Sequence, residues 1–186
     1  MNINHQNEHT CKVVIDTETT GLSLKHDRII ELAAIEVVNG RISRIFHSYF
    51  DPSPVKVNVS ATAIHGLTNE FLSTKPKFKE HVDQFLELIK DKPLIAHNAR
   101  FDATMINNEL TRIGKTCIPN NQWIDTLKLA RNLFPGKPNS LAVLCKRYKL
   151  KPNGLLHSAI KDCENLLTIY NLMCSDTTKK SIPKSK

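Results

Sequence analysis

Short continuous apolar runs dominate the first half of the chain, and apolar residues at helical spacing dominate most of the rest. Residues 12–16, with Val13, Val14 and Ile15 in succession, predict a short buried strand that ends at Asp16. Residues 28–38 and 41–50 predict two more strands. Between them lies Asn39-Gly40, the dipeptide of a tight type I′ hairpin. Residues 51–60 carry two prolines and predict a loop. Phe78, Val82, Phe85 and Ile89 predict an amphipathic helix over 77–90, with Pro93 beyond its end. A fourth strand follows at 94–96. Met105, Ile106, Leu110 and Ile113 predict a second helix closed near Gly114. A short strand at Trp123 and Ile124 precedes helices over 126–134, 140–148 and 158–173, with Ser140 as an N-cap. A hairpin meander followed by alternating strands and helices implies an α/β fold with a mixed sheet flanked by helices. In such sheets ligands gather beyond the carboxyl ends of strands.

Composition narrows the class. The chain has 186 residues, 40% hydrophobic and 24% charged, which suits one globular domain with its own core. Residues 1–11 read as a polar N-terminal arm, 12–174 as the domain, and 175–186 as a basic disordered tail. No stretch approaches a membrane span, and the polar start is not a signal peptide. Five cysteines without a C-x-x-C pair read as reduced thiols in a cytoplasm. The net charge of +8 is uneven: residues 1–99 hold 11 Lys/Arg and 12 Asp/Glu, and residues 100–186 hold the other 15 and 6. A basic half suits a polyanionic partner, although charge alone equally suits a solvated surface.

Four carboxylates stand in apolar surroundings. Asp16 and Glu18 lie two residues apart as the first strand ends, so both can point to the same side. Adjacent carboxylates resist ionising together, a conflict that a divalent cation removes. Asp102 shares the apolar face of its helix, although a first-turn acid also serves as a cap. Asp162 stands on the stripe Leu166, Ile169, Met173, where an acid is costly unless paired or metal-bound. His157 precedes it by five residues, in the connecting loop or first helical turn. An imidazole there suits a general base, but taken alone it reads first as an ordinary surface histidine, since the chain has eight.

Together these residues resemble the DEDDh family of 3′–5′ exonucleases. The first motif reads Val14-Ile15-Asp16-Thr17-Glu18-Thr19-Thr20-Gly21-Leu22, the second Ile95-Ala96-His97-Asn98-Ala99-Arg100-Phe101-Asp102, and the third Leu156-His157-Ser158-Ala159-Ile160-Lys161-Asp162. Three motifs in order, each on a fitting element, are far more specific than D-x-E alone. Intervening stretches such as Ala63-Ile64-His65-Gly66-Leu67 look similar to the proofreading members that serve bacterial replicative polymerases. Five positions before His65, where those members often carry a glutamate, this chain has Ser60.

The resemblance implies a ribonuclease H-like five-stranded sheet. It also implies two divalent cations, Mg²⁺ or Mn²⁺, held by Asp16, Glu18, Asp102 and Asp162, with His157 as the base. The implied substrate is the 3′ end of a single-stranded nucleic acid, DNA rather than RNA. Asp16, Thr17, Glu18, Thr19, Leu22, His65, Phe101 and Asp162 would contact it, although His65 reads equally as a loop histidine bonded to backbone. A DNA polymerase catalytic subunit is the implied protein partner. Two alternatives remain open: an RNA-trimming enzyme of the same family, and a non-catalytic adaptor that keeps the fold.

Overall fold

The computed structural model describes residues 11–150 and 157–181. Five strands form one mixed sheet. They are β1 (Cys11–Thr19), β2 (Ile29–Val38), β3 (Arg41–Tyr49), β4 (Leu94–Ala96) and β5 (Trp123–Asp125), in spatial order β3-β2-β1-β4-β5. The first three pair antiparallel, while β4 and β5 run parallel to β1. Asn39 and Gly40 both take positive φ, 51° and 77°, as the type I′ turn between β2 and β3 requires.

The strand pleat sorts the core into two layers. Val13 and Ile15 of β1, with Leu32 and Ala34 of β2, pack under α3 (Phe78–Ile89) and α4 (Ala99–Arg112). Val14 of β1, with Ala33, Ile35 and Val37 of β2, packs on the opposite face against Ala159, Cys163 and Leu166 of α7 (Ala159–Ser181). Helices α5 (Thr126–Leu133) and α6 (Leu141–Arg147) cover the next turns of α7 around Ile169 and Met173. Helix α4 is tied to the sheet by a half-buried ion pair: Arg28 donates to both carboxylate oxygens of buried Glu109, at 2.6 and 2.8 Å. A bidentate fork of this kind fixes rotation as well as distance.

Three elements differ from the sequence reading. Strand β1 begins at Cys11 and continues past Asp16 to Thr19, because Thr17, Glu18 and Thr19 still pair with Leu32, Glu31 and Ile29. Two short helices, α1 (Val59–His65) and α2 (Asn69–Ser73), follow the proline loop. The expected disordered tail is helical as far as Ser181; residues 182–186, like 1–10, fall outside the described residues. Polar composition does not prevent helix where tertiary contacts hold it. Here the Tyr148 hydroxyl donates to Asp176 Oδ2 at 2.8 Å, which anchors the extension of α7 to the residue that ends α6.

Tyr148→Phe removes that donor and keeps the ring. It should cost about 1 kcal/mol, read as a lower urea midpoint at unchanged slope. An unchanged midpoint would mean that the tail extension contributes nothing to stability.

Candidate active site

The pleat that sorts the core also aims the acids. Asp16 and Glu18 have the parity of Val14, so they face α7, and Asp162 in the first turn of α7 meets them there. One carboxylate oxygen from each of Asp16, Glu18 and Asp162 lies within 4.8 Å of the others, and all three residues are half-buried. Thr17 has the opposite parity and faces α4. Its hydroxyl donates to Asp102 Oδ1 at 2.9 Å, and Asp102 is only 4% exposed. The four acids therefore come to the carboxyl-terminal part of β1 from both faces of the sheet.

Electrostatics follow from this crowding. Burial, then the charges of Asp102, Asp162, Glu18 and Glu31, push the Asp16 pKa well above the ordinary carboxylate range. Burial, with Glu31, Asp162 and Asp102, raises Glu18 to about 8. Burial raises Asp102 to about 7, against the lowering effect of the Thr17 hydrogen bond. Asp162 is raised by burial and Glu31, with the neighbouring His157 pulling it down. Without a compensating cation these groups cannot all be ionised at neutral pH.

His157 lies immediately before α7, exposed, with φ at 70°. The segment at 151–156 that leads into it is outside the described residues. Asp162 donates its backbone N–H to the Ser158 carbonyl at 2.9 Å, so Asp162 belongs to the helix and is not its cap.

Beside the acids lies a cavity of about 420 Å³. Thr17, Glu18, Thr19, Leu22, His65 and Phe101 line it, and Ser60 and Ile64 of α1 complete its wall. Leu22 is 86% exposed at its mouth. Gly21 lets α1 approach: a Cβ there would run into Asn58 and Asp27, and the Asn58 N–H bonds to the Thr20 carbonyl. His65 closes α1, and its Nδ1 accepts from the Leu67 N–H at 3.0 Å, so it is both a backbone-bonded loop histidine and a cavity wall. The Thr19 hydroxyl donates to the Gly21 carbonyl at 2.7 Å, which shapes the same turn.

Other motif residues serve the fold. His97 bridges the Thr126 hydroxyl and the Asn139 carbonyl, both at 2.9 Å. Nearby, Arg147 at the end of α6 donates to Asn139 and Pro138 and lies over the Phe134 ring at 4.3 Å, which holds the same loop. Sequence reasoning missed Glu31, which is 1% exposed and stands opposite Glu18 in the β1–β2 register. The signal was available: β2 is apolar on both faces, and an acid within such a strand needs partners.

A family model described as exonuclease matches residues 13–170. The chain belongs to the exonuclease family. The DNA polymerase III subunit epsilon of Buchnera aphidicola subsp. Schizaphis graminum is 45% identical over 174 residues, covering 88% of this chain and 74% of that one. Exonuclease X, solved with 5′ overhanging duplex DNA, is 30% identical with a TM-score of 0.67, covering 91% and 93%. The nuclease domain of 3′hExo, a DEDDh family member bound to rAMP, shares the fold at 17% identity and a TM-score of 0.76, covering 91% and 94%. This chain is accordingly a metal-dependent 3′–5′ exonuclease with the ribonuclease H-like sheet. Among its described residues no helix is long and apolar enough to cross a membrane.

The raised carboxyl groups of this exonuclease have a linkage consequence. A carboxyl whose folded pKa lies above its unfolded value holds extra protons in the native state, so stability falls as pH rises through the folded value. Glu18, moved from 4.5 to about 8, and Asp102, moved from 3.8 to about 7, set the window. The melting temperature of metal-free protein should fall between about pH 5 and 8, and millimolar Mg²⁺ should flatten that fall. A metal-free melting temperature that rises across this range would contradict the arrangement.

Proposed function

We propose that this exonuclease removes nucleotides one at a time from the 3′ end of single-stranded DNA, in the manner of a proofreading enzyme working beside a DNA polymerase. The observation that carries the reading is the cavity of about 420 Å³ that opens directly beside the cluster of Asp16, Glu18 and Asp162. It has room for a terminal nucleotide, and its apolar walls at Leu22 and Phe101 suit sequence-tolerant contact with bases. The relatives named as DNA polymerase III subunit epsilon favour DNA over RNA. The acids that a non-catalytic adaptor would not need are all present and gathered.

The donor set fits divalent cations. It is all oxygen, it converges, and its members are held partly protonated when nothing balances their charge. Hard cations with oxygen ligands point to Mg²⁺ or Mn²⁺. We assign Asp16, Glu18 and Asp162 as direct ligands of a two-cation site, with Asp102 supporting it from the α4 face. When bound, such cations supply Lewis acidity toward the attacking water and the departing oxygen.

The chain's own residues do the rest. Thr17, Thr19 and His65 shape the cavity that receives the last nucleotide, so that only a free end enters. Leu22 and Phe101 press on the terminal bases. His157, exposed just before α7, accepts the proton of the attacking water at an imidazole nitrogen. The water oxygen bonds to phosphorus as the bond from phosphorus to the 3′-oxygen breaks. A nucleoside 5′-monophosphate leaves, and the shortened strand regains a 3′-hydroxyl.

Digestion of matched DNA and RNA oligomers, labelled at either end, tests the reading. A 5′-labelled DNA strand should yield a ladder of shortening products, and a 3′-labelled one should release label as a mononucleotide at once. His157→Ala should lower kcat by ~10²–10⁴-fold, and Asp16→Asn should lose cleavage while keeping its fold. Preference for RNA, or label lost first from the 5′ end, would contradict the proposal.

A further inference from the structure

Glu31 is a buried acid at the border of a site already crowded with acids, and neither cavity wall nor cation cluster uses it. It is 1% exposed in the middle of β2, with Glu18 opposite it on β1. A fourth negative group on that face raises the pKa of Asp16, Glu18 and Asp162 alike, so its position carries a cost. Its carboxylate is where two distant elements meet. From β3, His47 Nε2 lies 2.7 Å from Glu31 Oε1, and Tyr49 hydrogen-bonds to the same carboxylate. From the start of α7, the Ser158 hydroxyl donates to Glu31 Oε1 at 3.0 Å across 127 residues of sequence.

Ser158 follows His157, and His157 holds φ at 70°, a left-handed backbone that non-glycine residues rarely adopt. Such a conformation persists where surrounding contacts over-determine it. His157 itself is exposed, whereas the Ser158–Glu31 bond joins its chain neighbour to a strand buried on both faces. We propose that Glu31 is the positioning residue for His157: by holding Ser158 it fixes the backbone from which the imidazole reaches toward the substrate. This rests on the reading of His157 as the base. The inward parity of Glu31 explains why this acid, rather than an exposed one, does the holding. Odd-numbered residues of β2 face α7, so a carboxylate at 31 is aimed at the entry to that helix.

Steady-state hydrolysis of labelled single-stranded DNA by the full chain, at saturating Mn²⁺, tests this. Glu31→Leu should lower kcat by about 10- to 100-fold, the scale of a misplaced catalytic group, with KM little changed. Glu31→Gln keeps an acceptor for Ser158 and should restore most of kcat. In a His157→Ala background, Glu31→Leu should cause no further loss, because the group it positions is gone. In metal-free protein, the amide resonances of 157 and 158 should shift or broaden in Glu31→Leu and in Ser158→Ala. Multiplicative losses in the double variant, or an unperturbed kcat in Glu31→Leu, would overturn the proposal. If Glu31→Leu does not fold, Ser158→Ala at the half-buried end of the same bond carries the same cycle. A fully active His157→Ala would remove the base assignment first, and that outcome is distinct from a multiplicative double variant.

Discussion

Mutual repulsion among half-buried carboxylates is the constraint around which this molecule is arranged. Asp16, Glu18 and Asp162 bring oxygens within 4.8 Å of one another, and Asp102 is buried nearby on the other face of the same strand. Protein interiors do not tolerate such a group of like charges unless protons or cations balance it. The fold supplies no nearby arginine or lysine contact to Asp16, Glu18 or Asp162 among the described residues, in contrast to Glu109, which is held by Arg28 and Arg112, and Glu36, held by Arg44 and Lys92. The acids of the cluster are thus left for something that arrives from outside.

The rest of the architecture makes that crowding rigid. Apolar residues of β1 and β2 pack both ways, under α3 and α4 on one side and α7 on the other. Because the pleat alternates, the same strand that buries Val13 and Val14 on opposite faces presents Thr17 to Asp102 and Glu18 to Asp162. The bidentate Arg28–Glu109 pair sets α4, and Cys163, whose thiol reaches the carbonyls of Val14 and Ala33, seats α7 one residue after Asp162. The cavity wall is a lighter construction. Helix α1 buries none of its residues and leans on the close approach that Gly21 permits.

This division explains what the sequence disclosed. The sheet was legible because its strands are continuous apolar runs, and the buried faces of α4 and α7 were legible because Asp102 and Asp162 fall on stripes of apolar residues. The last part of β1 was not, since Thr17 and Thr19 are polar: Thr17 is buried by a contact with Asp102, 85 residues away, that only the tertiary structure creates, and Thr19 bonds locally to the Gly21 carbonyl. Helix α1 leaves no apolar stripe because none of its residues is fully buried, and small Ala61 is what packs half-buried on the cluster of Ile30, Val57 and Leu72. The extension of α7 beyond Met173 is tied down by a bond from Tyr148 to Asp176, 28 residues apart, within a segment whose composition reads as disordered. Glu31 escaped notice because a single acid in a strand resembles an ordinary surface position, although the continuous apolar run on either side of it signals a strand buried on both faces.

Anomalous diffraction from crystals soaked in Mn²⁺ locates the cation without reference to activity. Anomalous peaks should appear bounded by the carboxylates of Asp16, Glu18 and Asp162, and should be lost in Asp16→Asn crystals. Ordered Mn²⁺ elsewhere on the chain, with this cluster empty at saturating metal, would contradict the assignment of these acids as cation ligands.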